Sequence, residues 1–297
     1  MTPVATEHSE SQRQPVDPAA PIEAELPVTV IEPPSGWLSL NLAEVWRYRD
    51  LLHQLVWRDI SARYRQSIVG YGWAILKPVL SMVIFTFVFS RVAGLSTGAV
   101  PYALFAFTGL LPWMYFAAAV TTSTNSVVTG GALLKKVYFP RLILPLASVI
   151  TGLVDLVIQL IVLVILMFWY QVTPGPQVVL APVFILIATL TSLAIGLWLT
   201  AINVKYRDVG QAIPFLVQTG MWLSPVVYPS SKVPEAYRPI FALNPLVGVI
   251  EGFRWSLLNT EPPDWTVMTI SLTAVLVLFT SGLFYFRRTE TTFADII

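Results

Sequence analysis

The chain has 297 residues, 55% of them hydrophobic and only 12% charged, with a net charge of +1 and a mean hydropathy of +0.69. A soluble domain of this length needs far less apolar surface, so the composition is that of an all-α, multi-pass integral membrane protein. A charge balance this near zero supplies no basic field for nucleic acid. Cysteine is absent and the two histidines, His8 and His53, stand far apart outside the bilayer-length segments, which argues against disulfides, thiolate chemistry and a histidine-based metal site.

Residues 1–36 hold seven prolines, six acidic residues and one arginine, Arg13, with no apolar run long enough to bury. This is the composition of a disordered tail. Its start has neither the basic n-region nor the apolar core of a secretory signal, so the tail is expected to stay where it is made. Residues 37–71 form an interfacial region. In it Leu52, Leu55, Val56, Ile60, Tyr64, Ile68 and Tyr71 recur at spacings of three and four, while Arg58, Ser61, Arg65 and Gln66 lie elsewhere around the helix. The pattern predicts an amphipathic helix lying in the headgroup plane of an anionic leaflet. Gly70 and Gly72 loosen it, and Lys77-Pro78 opens the first long apolar run.

Residues 72–297 form the transmembrane domain. Apolar runs of about 20 residues, enough to cross a bilayer, are expected at 72–95, 102–128, 142–170, 178–202, 209–228 and 265–286. Thirteen basic residues fall on one side: Arg47, Arg49, Arg58, Arg63, Arg65, Lys77, Lys135, Lys136, Arg141, Lys205, Arg207, Arg287 and Arg288. The other side has Arg91, Lys232, Arg238 and Arg254, so the positive-inside rule puts both termini in the cytoplasm.

Two connections are unusual. After the second span, Gly130-Gly131 stops the helix, 132–138 can form a short one exposing Lys135 and Lys136, and Phe139-Pro140 ends it. Leu133, Leu134, Val137, Tyr138 and Phe139 are then available to fill a pocket on a soluble partner; an ordinary basic loop is the alternative. Between spans five and six, Asn244-Pro245 supplies an N-cap and a first-turn proline for an apolar helix over 246–258, with a shorter arm over 234–243. That predicts a re-entrant hairpin at about 234–258 on the outer face, with Glu251 and Arg254 able to pair at i,i+3.

Asp155 is the acidic residue deep in an apolar span, a position that costs about 2.5–3.5 kcal/mol on insertion scales and demands a partner. Ser148, Thr151, Asp155 and Gln159 make one polar edge, and Thr189, Ser192, Gly196 and Asn203 another, both suited to helix packing. A proton relay through Asp155 would need a second intramembrane acid or histidine, which the sequence does not offer. Aromatic rings crowd the spans, and Phe85, Trp113, Tyr115, Phe116 and Trp222 fall inside them, where flat apolar faces suit sugar rings; an interfacial belt is the other reading. Pro112, Pro145, Pro182, Pro214 and Pro225, in or near span interiors, fit either kinked helices around a pathway or plain bent packing. No Gly-x-x-x-x-Gly-Lys-Ser/Thr phosphate loop occurs, so the chain carries no nucleotide site of that kind.

Five collinear stretches carry a resemblance: LVWRDISARYRQSIVGYGWAILKPVL at 55–80, KKVYFPRLILPL at 135–146, NVKYRDVGQAIPFLVQTGMWLSPVVYP at 203–229, LNPLVGVIEGFR at 243–254, and the terminal FRRTETTFADII. From residue 51 onward the chain resembles the membrane subunit of type-two ABC exporters of polysaccharides, the O-antigen, capsule and teichoic acid permeases. The resemblance implies a homodimer of six-span subunits in the bacterial inner membrane, resting on two cytoplasmic ATPase subunits that bind ATP and Mg, and moving a lipid-linked polysaccharide. It further implies ATPase contacts at Arg58, Asp59, Arg63, Lys135, Lys136, Tyr138, Phe139 and Pro140. A glycan route would pass Phe85, Trp113, Tyr115, Phe116, Trp222 and Tyr228, with an exit gate at Asn244, Pro245, Glu251 and Arg254. Thr151, Asp155 and Gln159 remain as polar packing. The Pro-rich acidic tail departs from the family pattern. The alternatives are an ABC exporter of a small hydrophobic molecule, a proton-coupled carrier using Asp155, or a membrane glycosyltransferase, for which Asp59 and Asp208 are the only candidate metal-binding acids.

Overall fold

Helix is what the apolar runs adopt in the computed structural model, with no strand among the described residues, 42–65, 70, 72–98 and 100–293. That follows where each backbone N–H and C=O must find its partner within its own segment. The chain divides into Met1–Ser39, outside the described residues, and one unit, Leu40–Ile297. The expected tail and the stripe positions Ile68 and Tyr71 lie outside the described residues.

The elements run α1 (Leu42–Arg47), α2 (Arg49–Tyr64), α3 (Gly72–Phe85, extended by a π-helical turn Thr86–Val92), α4 (Tyr102–Thr129), α5 (Gly131–Leu134) and α6 (Ile143–Trp169). They continue with α7 (Ala181–Lys205, after a 3-10 turn Pro176–Leu180), α8 (Asp208–Trp222), α9 (Arg238–Ala242), α10 (Pro245–Leu258) and α11 (Trp265–Glu290). Five helices are long and apolar enough to cross a membrane: Gly72–Val92, Tyr102–Thr129, Ile143–Trp169, Pro176–Lys205 and Trp265–Glu290.

Helix α4 is the centre of the bundle. It is buried along most of its length and packs on α3, α6, α7, α8 and α10. Small residues permit the approach: a Cβ on Gly196 of α7 would stand 2.6 Å from Ser123 Oγ, and one on Gly152 of α6 would stand 3.1 Å from the Tyr115 ring. Thr200 Oγ1 donates to Ser123 O at 2.8 Å and Asn203 Nδ2 to Thr124 O at 3.0 Å, so the polar edge of α7 is satisfied against α4.

Two expectations change here. The described stripe residues Leu52, Leu55 and Val56 of α2, expected to face headgroups, pack against the bundle. Leu55 is buried, with Leu51, Leu52 and Val56 packed against it, in a cluster holding Leu142, Ile143, Leu144 and Ala147, because α2 runs against α6 and that contact takes apolar side chains out of water. The expected fifth span, 209–228, is realised as the 15-residue α8 followed by a non-helical stretch, 223–229. At about 1.5 Å per residue α8 is shorter than the hydrocarbon core. The prolines sort similarly: Pro112 and Pro214 are inside helices, Pro145 and Pro182 sit in first turns where a missing N–H breaks no ladder bond, and Pro225 lies in the non-helical stretch.

Helix α10 packs on α4, α7 and α11. At Gly252 a Cβ would overlap the ring of Phe184 in α7. Gly252→Ala is therefore expected to destabilise the protein by about 1–3 kcal/mol through overpacking, seen as a lower thermal midpoint in detergent. Adding Phe184→Leu should recover part of the loss, whereas an unchanged midpoint in the single variant would contradict this packing.

Candidate functional site

Functional candidates gather at the two ends of the bundle. At one end, the loop between α4 and α6 begins with α5, which starts at Gly131, one residue before the expected position, and leaves helix after Leu134, so it has four residues rather than the expected seven. Lys135, Lys136, Val137 and Tyr138 are exposed. Phe139, expected to be offered to a partner, is only 3% exposed, and Pro140 is buried with it. Phe139 belongs to the cluster of Leu55, Ile143 and Phe286, which gives an aromatic side chain more contact than an outward position would. Arg141 donates to the Glu290 main-chain oxygen, and Arg287 reaches Glu290 Oε1 at 2.7 Å, so this loop is tied to the end of α11. Desolvation raises the Tyr138 phenol above its ordinary pKa, with the carboxylates of Glu44 and Glu290 adding to it, so the ring stays neutral. Arg58 and Asp59 form an exposed adjacent pair at 2.8 Å, a contact worth about 0–1 kcal/mol.

Arg63 goes elsewhere. Its Nη1 meets Asp155 Oδ2 of α6 at 2.5 Å, with the Asp155 side chain partly buried and that of Arg63 more open to solvent. The residue expected at the ATPase contact is thus the partner that the span acid required. Sequence spacing could not reveal this, since 92 positions separate the two. The pair borders a cleft of about 630 Å³ that also touches Trp73, Lys77, Tyr115 and Gln159. Thr151 bonds its own helix at Ala147 O, 2.8 Å away.

The six expected pathway aromatics do not form one line. Phe85 and Trp222 meet edge to face at 6.2 Å within a larger group holding Phe89, Tyr102 and Phe105. Trp113 and Phe116, 5.6 Å apart, border a mainly apolar cavity of about 620 Å³ against Ile213 and Leu216 of α8 and Phe241 of α9. Tyr115 points away from these, bonding Thr189 Oγ1 and Val149 O. That separation is what a 100° helical step imposes on residues 113, 115 and 116. Tyr228 packs on Phe241 and donates to Trp222 O at 3.0 Å.

At the opposite end, Asn244 caps α10 as expected: its Oδ1 accepts from Leu246 N at 3.0 Å, and Pro245 takes the first turn. Its Nδ2 also holds Ser224 Oγ at 2.8 Å and Leu223 O at 3.2 Å. Helix α10 is buried over most of its length, which excludes a solvated loop. The expected Glu251–Arg254 pair is not made. Arg254 is 3% exposed and donates to three main-chain oxygens, from Nε to Phe105 O at 3.2 Å and from Nη1 and Nη2 to Pro225 O and Val226 O, with its guanidinium 3.7 Å above the Phe105 ring. Glu251 instead accepts from Ser230 N at 3.3 Å. Tyr102 adds a bond to Val227 O at 2.7 Å. The roles of Tyr102, Phe105 and Gly109, the last lying directly under the Arg254 guanidinium, carry no local signature beyond an unexplained glycine within a long helix.

Among the described residues no group of three His, Cys, Asp or Glu side chains could hold a metal ion. Residues 50–258 match the profile of the ABC-2 type transporters. The chain belongs to that family. Among relatives of this ABC-2 protein, an O-antigen export system permease protein, RfbA, from Myxococcus xanthus is 34% identical over 258 residues, covering 86% of this chain and 98% of that protein. One of the same description from Klebsiella pneumoniae is 27% identical, covering 84% of this chain and 95% of its own length. The polysialic acid transport protein KpsM of Escherichia coli is 23% identical, covering 78% and 91%.

The Arg63–Asp155 contact in this ABC-2 chain is expected to couple the two residues by about 0.5–3 kcal/mol in a double-mutant cycle. Asp155→Ala should lower the thermal midpoint strongly in the native background and weakly alongside Arg63→Ala. Additive losses would show that the pair contributes nothing.

Proposed function

We propose that this chain is the channel-forming subunit of an ATP-driven exporter of a lipid-linked polysaccharide such as O-antigen in the bacterial inner membrane. The observation that carries the reading is the likeness along nearly the whole length of an O-antigen export permease. Two copies enclose the pathway, each resting on an ATPase subunit that supplies the nucleotide chemistry. In this reading α8 together with 223–229 completes a sixth span, both termini are cytoplasmic, and α9 and α10 form the re-entrant hairpin at the outer face.

In this reading each part has a task. Lys135, Lys136, Val137 and Tyr138 protrude and take the thrust of the ATPase. Because Phe139 is rooted in the cluster that holds Leu55, the loop and α2 move as one body. Arg63 passes that motion to α6 through Asp155. With the carboxylate held by a guanidinium, a proton-coupled carrier built on Asp155 loses its support. Trp222 meets Phe85 edge to face and Phe89 at a tilt, so the first span and α8 meet through aromatic rings. Parting these rings opens a route that suits sugar rings without binding them tightly.

In cells lacking this chain, surface polysaccharide should disappear while its lipid-linked precursor accumulates inside. Restoring the native chain should restore export only when the ATPase is present. The double variant Lys135→Glu, Lys136→Glu should reach the membrane at normal levels yet lower ATP-coupled export about tenfold or more, the equivalent of losing one or two favourable contacts. Export without any ATPase would reject the reading, and unaltered export by the variant would reject the docking loop.

A further inference from the structure

Both charged residues of α10 grip the same piece of chain. Arg254 holds Pro225 O and Val226 O, and Glu251 holds Ser230 N, so the non-helical stretch 223–229 is fastened in its middle and just past its end by side chains one helical turn apart. Among the described residues no carboxylate lies within ion-pair distance of Arg254. A buried guanidinium bonded only to neutral oxygens is held in place by those oxygens, and removing them without replacement would leave a desolvated charge. The replacement stands at i−3 on the same helix, the spacing at which Glu and Arg side chains meet.

We infer that Glu251 and Arg254 form a two-state clasp: closed, they hold the stretch 223–230; open, they pair with each other and release it. The release is feasible because the same event that takes the oxygens from Arg254 takes the amide from Glu251. Each charge then finds the other, and the two arrangements stay close in free energy. Gly109 fits this scheme, since any side chain there would occupy the guanidinium's place. The stretch follows α8 directly and contacts Tyr102 and Asn244, so freeing it opens the outer end of the cavity beside Trp113 and Phe116. The purpose of the clasp rests on the export reading, but its geometry does not.

The chain has no cysteine, so Val226→Cys introduces a single thiol at a site that is 0% exposed. In the complete transporter with its ATPase, that thiol should react slowly with a membrane-impermeant maleimide added from outside, and faster during ATP turnover. With Arg254→Gln the resting rate should rise about tenfold or more, since charge-assisted bonds holding the stretch are gone. With Glu251→Gln the resting rate should stay low, the turnover-dependent rise should vanish and export should fall. Glu251 is half-buried, so this variant reads the clasp even if Arg254→Gln folds poorly. Unchanged turnover labelling in Glu251→Gln, or a folded Arg254→Gln that stays unlabelled, overturns the clasp. Continued export in either case leaves the export reading standing, while the expected resting rates without ATP-driven export would reject that reading and keep the clasp.

Discussion

A backbone that leaves helix inside a bundle must still have its oxygens satisfied, and here Arg254 meets that demand. Burying a guanidinium costs several kcal/mol even after relaxation, so it survives only where acceptors stand around it. Phe105, Pro225 and Val226 supply main-chain oxygens and Phe105 supplies a ring face. The same contacts make the unwound stretch possible, because water is not needed to solvate it. Helix α10, α4 and the end of α8 are thereby fixed relative to one another by one side chain.

The other end of the molecule is organised by a different pair. Asp155 would be a liability in α6 by itself, and Arg63 removes the liability by bringing its charge from α2. The pairing also explains why α2 lies against the bundle with its apolar stripe inward. Phe139 and Leu55 meet in the cluster beneath it, so the exposed basic loop stands on a rigid footing.

Between the two ends runs α4, buried over most of its length, with Ser123 and Thr124 offering main-chain oxygens to α7 and with glycines on α6 and α7 where they come close. The same helix joins the loop after it to α10, since both Phe105 and Gly109 lie on it beneath Arg254.

Local order was legible in the sequence. The long helices, the Asn244-Pro245 start of α10, the exposure of Lys135 and Lys136, and the need of Asp155 for a partner all follow from hydropathy, capping chemistry and charge cost, which act over one or two turns. The matching of five collinear stretches pointed to the ABC-2 family as well. What the sequence left open were choices between partners far apart in the chain. Spacing offered Glu251 to Arg254, yet three backbone oxygens hold it; it offered Arg63 to a soluble partner, yet Asp155 has it; it offered Phe139 outward, yet the core has it. Only tertiary packing decides these, because burial removes water as the competing partner and makes the nearest available group in space, rather than along the chain, the one that must be satisfied.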